Sequence, residues 1–138
     1  MTAPDIDRLL GEMTLAEKVG QMVQTDIAVI TPQEAAENHV GSILSLIPDG
    51  SLGSAPAWRE MVDAYQRAMV DSNSVPLLVG IDAVHGHSYF DGPSVILPHN
   101  IGIGATRNPE LPRQLATITA RELTATGMHW TFSTSITV

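Results

Sequence analysis

The chain has 138 residues, 43% of them hydrophobic and 16% charged, with a formal net charge of −8. That is the composition of a globular protein rather than a disordered one, and its length suits one ordinary compact domain. With 7 Lys and Arg against 15 Asp and Glu, it excludes binding to a nucleic-acid backbone, which needs clustered cations to displace counterions.

No cysteine is present, so no disulfide or thiolate site is predicted and the redox compartment is not read. The N-terminus turns acidic before any apolar stretch develops, and no apolar run approaches about 18 residues. No signal peptide, membrane span or membrane partner is therefore read, and localisation stays unassigned.

In chain order, Ile6, Leu9, Leu10 and Met13 follow helical spacing. Thr14 and Glu17 make a capping box that opens a second helix through Val19 and Met22. Packing is the expected role of this segment, covering the bottom of a larger fold. Residues 24–30 are apolar and β-branched and read as a short extended piece. Thr31, Pro32 and Glu34 start another short helix, with His39 expected near its C-terminus as a dipole contact. Residues 40–47 (VGSILSLI) are predicted as the first strand of the main sheet. Ser54 and Pro56 precede a helix whose apolar face is Trp58, Met61, Val62, Tyr65 and Met69. Both aromatic residues are assigned to the core by their register.

Residues 75–81 form an apolar run suited to a fully buried strand, which ends at Asp82. The loop beyond holds His85, His87 and His99 with Gly86, Gly92, Gly102 and Gly104. In parallel α/β folds the carboxyl ends of strands and their following loops carry ligands. Residues 102–105 are expected to form a tight loop, and Arg107 a salt bridge with a nearby carboxylate. Asn108 with Pro109 opens a further helix, with Leu111, Leu115 and Ile118 on its buried side and Gly127 as its stop. Residues 129–138 read as a third strand with an open, apolar edge liable to self-association. Strand, helix, strand, helix, strand is the pattern of a barrel segment or of a doubly wound, mostly parallel sheet.

The motifs GIDAVHGH (80–87) and LPHNIGIGATRNPEL (97–111) resemble the corresponding stretches of family 3 glycoside hydrolases, the β-glucosidase and exo-glucanase group. MTLAEKVGQM (13–22), GSIL (41–44) and TARELTATGMHWTF (119–132) resemble it further, in the family's order. The resemblance implies an α/β fold: a partial (β/α)8 TIM-type barrel, with residues 1–39 a helical lead-in and 40–138 its first βαβαβ units. A complete barrel takes about 250 residues, so the chain is expected to be the N-terminal fragment of one. The implied activity is retaining, exo-acting hydrolysis of terminal β-D-glucosyl residues, with a β-glucoside or β-glucan oligosaccharide as partner and no cofactor. Two departures are visible: Leu46, Ile47 and Pro48 replace much of a Gly- and Asn-rich turn, and Ser133 and Thr134 stand where the family usually has Ala-Pro.

By this resemblance Asp82 binds the terminal glucose, a task that suits a carboxylate because its two oxygens accept from adjacent hydroxyls. A structural alternative is a strand-end Asp that caps its own loop. Retaining hydrolysis needs two carboxyl groups about 5–5.5 Å apart. No second carboxylate here matches the family's catalytic pair, so no catalytic residue is named. Neither Asp91 nor Glu122 has a spacing that supports pairing with Asp82, and Glu122 is read as a surface or helix-pairing charge. The rival reading is a metal-binding module using His85, His87 and His99, with Asp82 as a fourth ligand. Otherwise these histidines are expected to orient the loop by bonding carbonyls and carboxylates. A catalytically incomplete sugar-binding or self-assembling fragment is the remaining alternative.

Overall fold

The computed structural model describes residues 5–45, 53–88, 92 and 94–133. Its first three helices begin at side-chain caps. Helix α1 (Ile6–Glu12) starts at Asp5, whose side chain accepts from Arg8 N–H. Helix α2 (Leu15–Gln21) and helix α3 (Pro32–Glu37) each open with a complete capping box, Thr14 with Glu17 and Thr31 with Glu34. In both, the Thr oxygen satisfies one orphan amide of the first turn while the Glu reaches back to the cap amide. Those contacts hold the Glu17 and Glu34 carboxyls below their ordinary range.

The lead-in departs from expectation in two ways. Its apolar face is largely open: Leu15 is 77% and Met22 79% exposed, and α1 contains no buried residue. The second departure is that the extended piece read at residues 24–30 joins the main sheet: its first three residues form β1 (Gln24–Asp26), which pairs in parallel with β2 (Ser42–Ser45) through Gln24 with Ser42 and Asp26 with Leu44. The strand predicted as first is therefore second. The extended conformation was legible in the sequence, whereas the pairing with β2 was not, and Ile27–Val29 turn into a short 3-10 helix instead of continuing the strand. Residues 46–48, where the chain departs from the family turn, lie outside the described residues.

Helix α4 (Ala55–Asp71) buries Trp58, Val62, Tyr65 and Met69, the face its spacing predicted. Beyond it, β3 (Leu78–Ile81) pairs in parallel with β2 on one side and with β4 (Trp130–Thr131) on the other. Between β3 and β4 lie α5 (Asn100–Ala105) and α6 (Glu110–Ala125). Helix α5 corrects the tight loop expected at residues 102–105: the His99 carbonyl accepts from Gly102 and Ile103 N–H, so a turn of helix forms despite two glycines. At the start of α6, Asn108 Oδ1 accepts from Glu110 N–H as predicted, although Pro109 is the residue just before the helix. At its end, Gly127 N–H returns to the Thr124 carbonyl and Met128 N–H to Leu123. This pair of bonds closes α6 on a left-handed glycine.

The four strands lie in the order β1-β2-β3-β4, all parallel. A doubly wound sheet reverses its order part-way and covers both faces. Sequential order with right-handed crossovers places every helix on one face, which is the construction of a (β/α) barrel. One core cluster lies between that face and its helices, joining Ile43, Val79, Ile81 and Ala83 to Ala35, Trp58, Val62, Met69 and Leu123. Burying each of the larger side chains stabilises the chain by about 1.5–3 kcal/mol. The other face is open, with Leu78 57% exposed. Strand β3 is nonetheless buried at Val79, Gly80 and Ile81, so the buried strand that was expected holds except at Leu78. Strand β4 is short, and the rest of its predicted run, residues 134–138, lies outside the described residues.

Candidate functional site

Asp82 stands, half-buried, immediately beyond β3, on the strand face that also presents Leu78 and Gly80. Two features of the neighbouring strand fix its surroundings. Thr131 Oγ1 accepts from Ala83 N–H at 3.2 Å and from Ser133 N–H at 3.3 Å, so the peptide after Asp82 is tied to β4. Trp130 pairs in register with Gly80 and packs directly over it: a Cβ on Gly80 would lie 2.0 Å from the indole Nε1. The next aromatic residue, Phe132, meets the Trp130 ring edge-on with centroids 4.4 Å apart. Extending the Ile81–Thr131 register by one residue sets Phe132 level with Asp82, and its ring is 43% exposed. Sequence reasoning missed both Thr131 and Phe132, because a two-residue strand gives no register before it is paired.

The three histidines part company. His85 and His99 meet in a tilted contact, with ring centroids 4.1 Å apart and planes inclined by 60°. His87 turns the other way into the core, fully buried, in an edge-on contact with Trp58 whose ring centroids are 5.5 Å apart. Its Nε2 lies 2.9 Å from Thr126 Oγ1. The same hydroxyl lies within reach of the Leu123 and Glu122 carbonyls, and when its one hydrogen goes to either of them His87 Nε2 is the donor. Burial pushes the His87 imidazole down to about 4, which keeps it neutral at physiological pH. Carbonyls or carboxylates were the partners expected; for His87 the structure adds a threonine 39 residues away.

Among the described residues no group of three or more His, Cys, Asp or Glu side chains is arranged to hold a metal ion. The metal module built on His85, His87 and His99 is corrected accordingly: the apolar surroundings that drew His87 inward removed it from any such cluster. Farther off, the His39 ring faces Ser74 Oγ at 3.3 Å rather than a helix carbonyl, and His39 adopts a left-handed backbone (φ 53°). Arg107 is exposed and belongs to none of the ion pairs formed among the described residues.

Glu122 is also misplaced by sequence reasoning. It is half-buried, and its Oε1 accepts from Val95 N–H at 3.1 Å, fastening the segment 94–97 to α6. The same segment is held to the loop after Asp82, where Leu97 N–H donates to the His85 carbonyl at 2.7 Å. Asp91 lies outside the described residues.

Residues 14–138 match the model of the glycosyl hydrolase family 3 N-terminal domain. The chain belongs to glycosyl hydrolase family 3. Among its family 3 relatives is the lysosomal β-glucosidase of Dictyostelium discoideum, 30% identical over 96% of this chain and 19% of that protein. The crystal structure of an exo-1,3/1,4-β-glucanase from a Pseudoalteromonas species superimposes with a TM-score of 0.86 at 35% identity, covering 96% of this chain and 17% of that one. A family 3 β-N-acetylglucosaminidase from Paenibacillus sp. str. FPU-7 follows the same course with a TM-score of 0.78 at 28% identity, over 88% of this chain and 24% of that one. The chain therefore spans about a fifth of the length of these family 3 proteins.

Proposed function

We propose that this chain supplies the terminal-sugar recognition wall of a retaining, exo-acting β-glucosidase, with Asp82 accepting hydrogen bonds from adjacent sugar hydroxyls. The observation that carries the reading is the position of Asp82: a half-buried carboxylate at the carboxyl end of a parallel strand, inside the stretch matched by the family 3 model. Asp82 has the two oxygens needed to hold two hydroxyls at charge-assisted strength. Phe132 at the same level offers an exposed ring for the apolar C–H face of a pyranose. The names of the relatives, a β-glucosidase and an exo-1,3/1,4-β-glucanase, support a β-glucan end as the ligand. Hydrolysis itself requires a nucleophile and an acid/base about 5–5.5 Å apart, and we assign neither role to this chain.

Titration of the isotope-labelled chain with laminaribiose, followed by NMR, tests the reading. Saturable shifts at Ala83, Thr131 and Phe132 that vanish in Asp82→Asn are expected. Saturable binding unaffected by Asp82→Asn would remove Asp82 from the site, and an absence of saturable shifts would overturn the sugar-binding role. Release of glucose by the purified chain, lost in Asp82→Ala, would show that a catalytic pair had been overlooked.

A further inference from the structure

Glu122 breaks two local rules for the sake of one distant contact. It stands in the last turn of α6, where the partial negative charge of a helix C-terminus disfavours a carboxylate. Its Oε2 is buried and has no hydrogen-bond partner among the described residues, an arrangement that costs about 1–3 kcal/mol for a polar group and more for a charged one. Against these stands the bond from Val95 N–H to Oε1. A residue poorly suited to its own helix yet joined to a segment 27 positions earlier points to a requirement set by that segment.

The segment in question, residues 94–97, is a strap without regular secondary structure. Besides the bond from Leu97 N–H to the His85 carbonyl, it touches Gly86, which sits at φ 90° with the Val95 carbonyl so near that a Cβ would lie 2.0 Å from that oxygen. Only glycine accommodates both the backbone angle and the approach. The strap is therefore gripped by two elements, by α6 through Glu122 and by the loop leaving Asp82 through His85 and Gly86.

We propose that Glu122 is a positioning residue whose carboxylate holds the 94–97 strap against His85 and Gly86, and so sets the path of the backbone that leaves Asp82. The functional consequence rests on the sugar-binding reading of Asp82; the latch stands on its own geometry. Glu122 touches the strap, and Asp82 touches the sugar.

Amide hydrogen exchange by NMR decides it. In Glu122→Ala the Val95 and Leu97 amides are expected to exchange about tenfold faster or more, the scale set by losing a hydrogen bond to a charged group. Glu122→Gln keeps an acceptor oxygen and is expected to stay within about threefold of the wild type. Glu122→Asp, one methylene short of Val95, repeats the contrast at unchanged charge should the alanine variant not fold. The Val79 and Ile81 amides serve as references. Equal acceleration at those two positions would mean general loosening and would overturn the latch, as would strap amides that fail to respond. Laminaribiose affinity is expected to fall in Glu122→Ala and persist in Glu122→Gln. Equal affinity in wild type and alanine variant would overturn the positioning role. A wild-type chain that binds no laminaribiose would sink the reading of Asp82, while the exchange rates would still judge the latch.

Discussion

Trp130 occupies the space that a side chain on Gly80 would need. The two residues are partners in the β3–β4 register, and the indole Nε1 lies 2.0 Å from the place of a Gly80 Cβ. No flexible chain end is available to yield there, because the nearest atoms belong to a rigid ring that meets Phe132 edge-on. Gly80→Ala is therefore expected to destabilise the chain by about 1–3 kcal/mol, as overpacking does, and to shift the tryptophan emission as the indole moves. Chemical denaturation followed by fluorescence measures both, and an unchanged midpoint would contradict the contact.

Stability should fall on mild acidification. Burial lowers the His87 imidazole to about 4 from an ordinary value of 6.5. Between those values the unfolded chain binds a proton that the folded chain refuses, so the contribution is complete above pH 6.5 and is lost as pH falls through the window, by at most about 3 kcal/mol. His129 is shifted in the same direction, by burial and then by Arg59, and its Nδ1 accepts from Val79 N–H. The comparison that isolates His87 is the slope of urea midpoint against pH, across the window from 6.5 down to about 4, in wild type and His87→Gln. The slope is expected to be distinctly shallower in the variant, and equal slopes would refute the assignment.

Thr131→Val removes one oxygen while keeping the shape of the side chain. Ala83 and Ser133 N–H would both lose their acceptor, at about 1–3 kcal/mol for each amide left without water or a substitute. Because Ala83 follows Asp82, a weakening of sugar binding beyond the loss in stability is expected. Binding measured well below the unfolding midpoint separates the two effects.

The two capping boxes are chemically alike and structurally unequal. Thr31 caps α3, which buries Ala35 and Ala36 against the core, whereas Thr14 caps α2, where Gly20 alone is buried. Thr31→Ala is expected to lower the global unfolding midpoint, and Thr14→Ala chiefly to fray α2, visible as faster local exchange with a smaller change in midpoint. Equal midpoint shifts would show that the lead-in is coupled to the core as tightly as α3 is.

What was legible in the sequence was what short-range chemistry decides. Thr14 with Glu17, Thr31 with Glu34, the Trp58 to Met69 face and the Gly127 stop each involve residues within a few turns, and the structure forms all of them. Asp82 was found at the end of its strand for the same reason, since an apolar run and its terminus are local facts. The extended piece at residues 24–30 was read, but its place in the sheet escaped, because Gln24–Asp26 find their partner only in β2. Helix α5 escaped because Gly102 and Gly104 argue against the helix that the His99 carbonyl nucleates. The fates of His87 and Glu122 depend on Thr126 and Val95, 39 and 27 positions away, and no periodicity announces such pairs.

The sequential order of the sheet also bears on how the chain reaches this state. Gln24 meets Ser42, Ser42 meets Leu78, and Gly80 meets Trp130, so each successive pairing closes a longer loop than the one before. Closure entropy grows only with the logarithm of loop length, so the last pairing is entropically dearer than the first by about 1 kcal/mol. The cheapest pairing is the one nearest the N-terminus, and no strand has to wait for a later one before it finds its neighbour. A chain emerging from the ribosome can add strands in the order of synthesis, each new strand docking on an edge already formed.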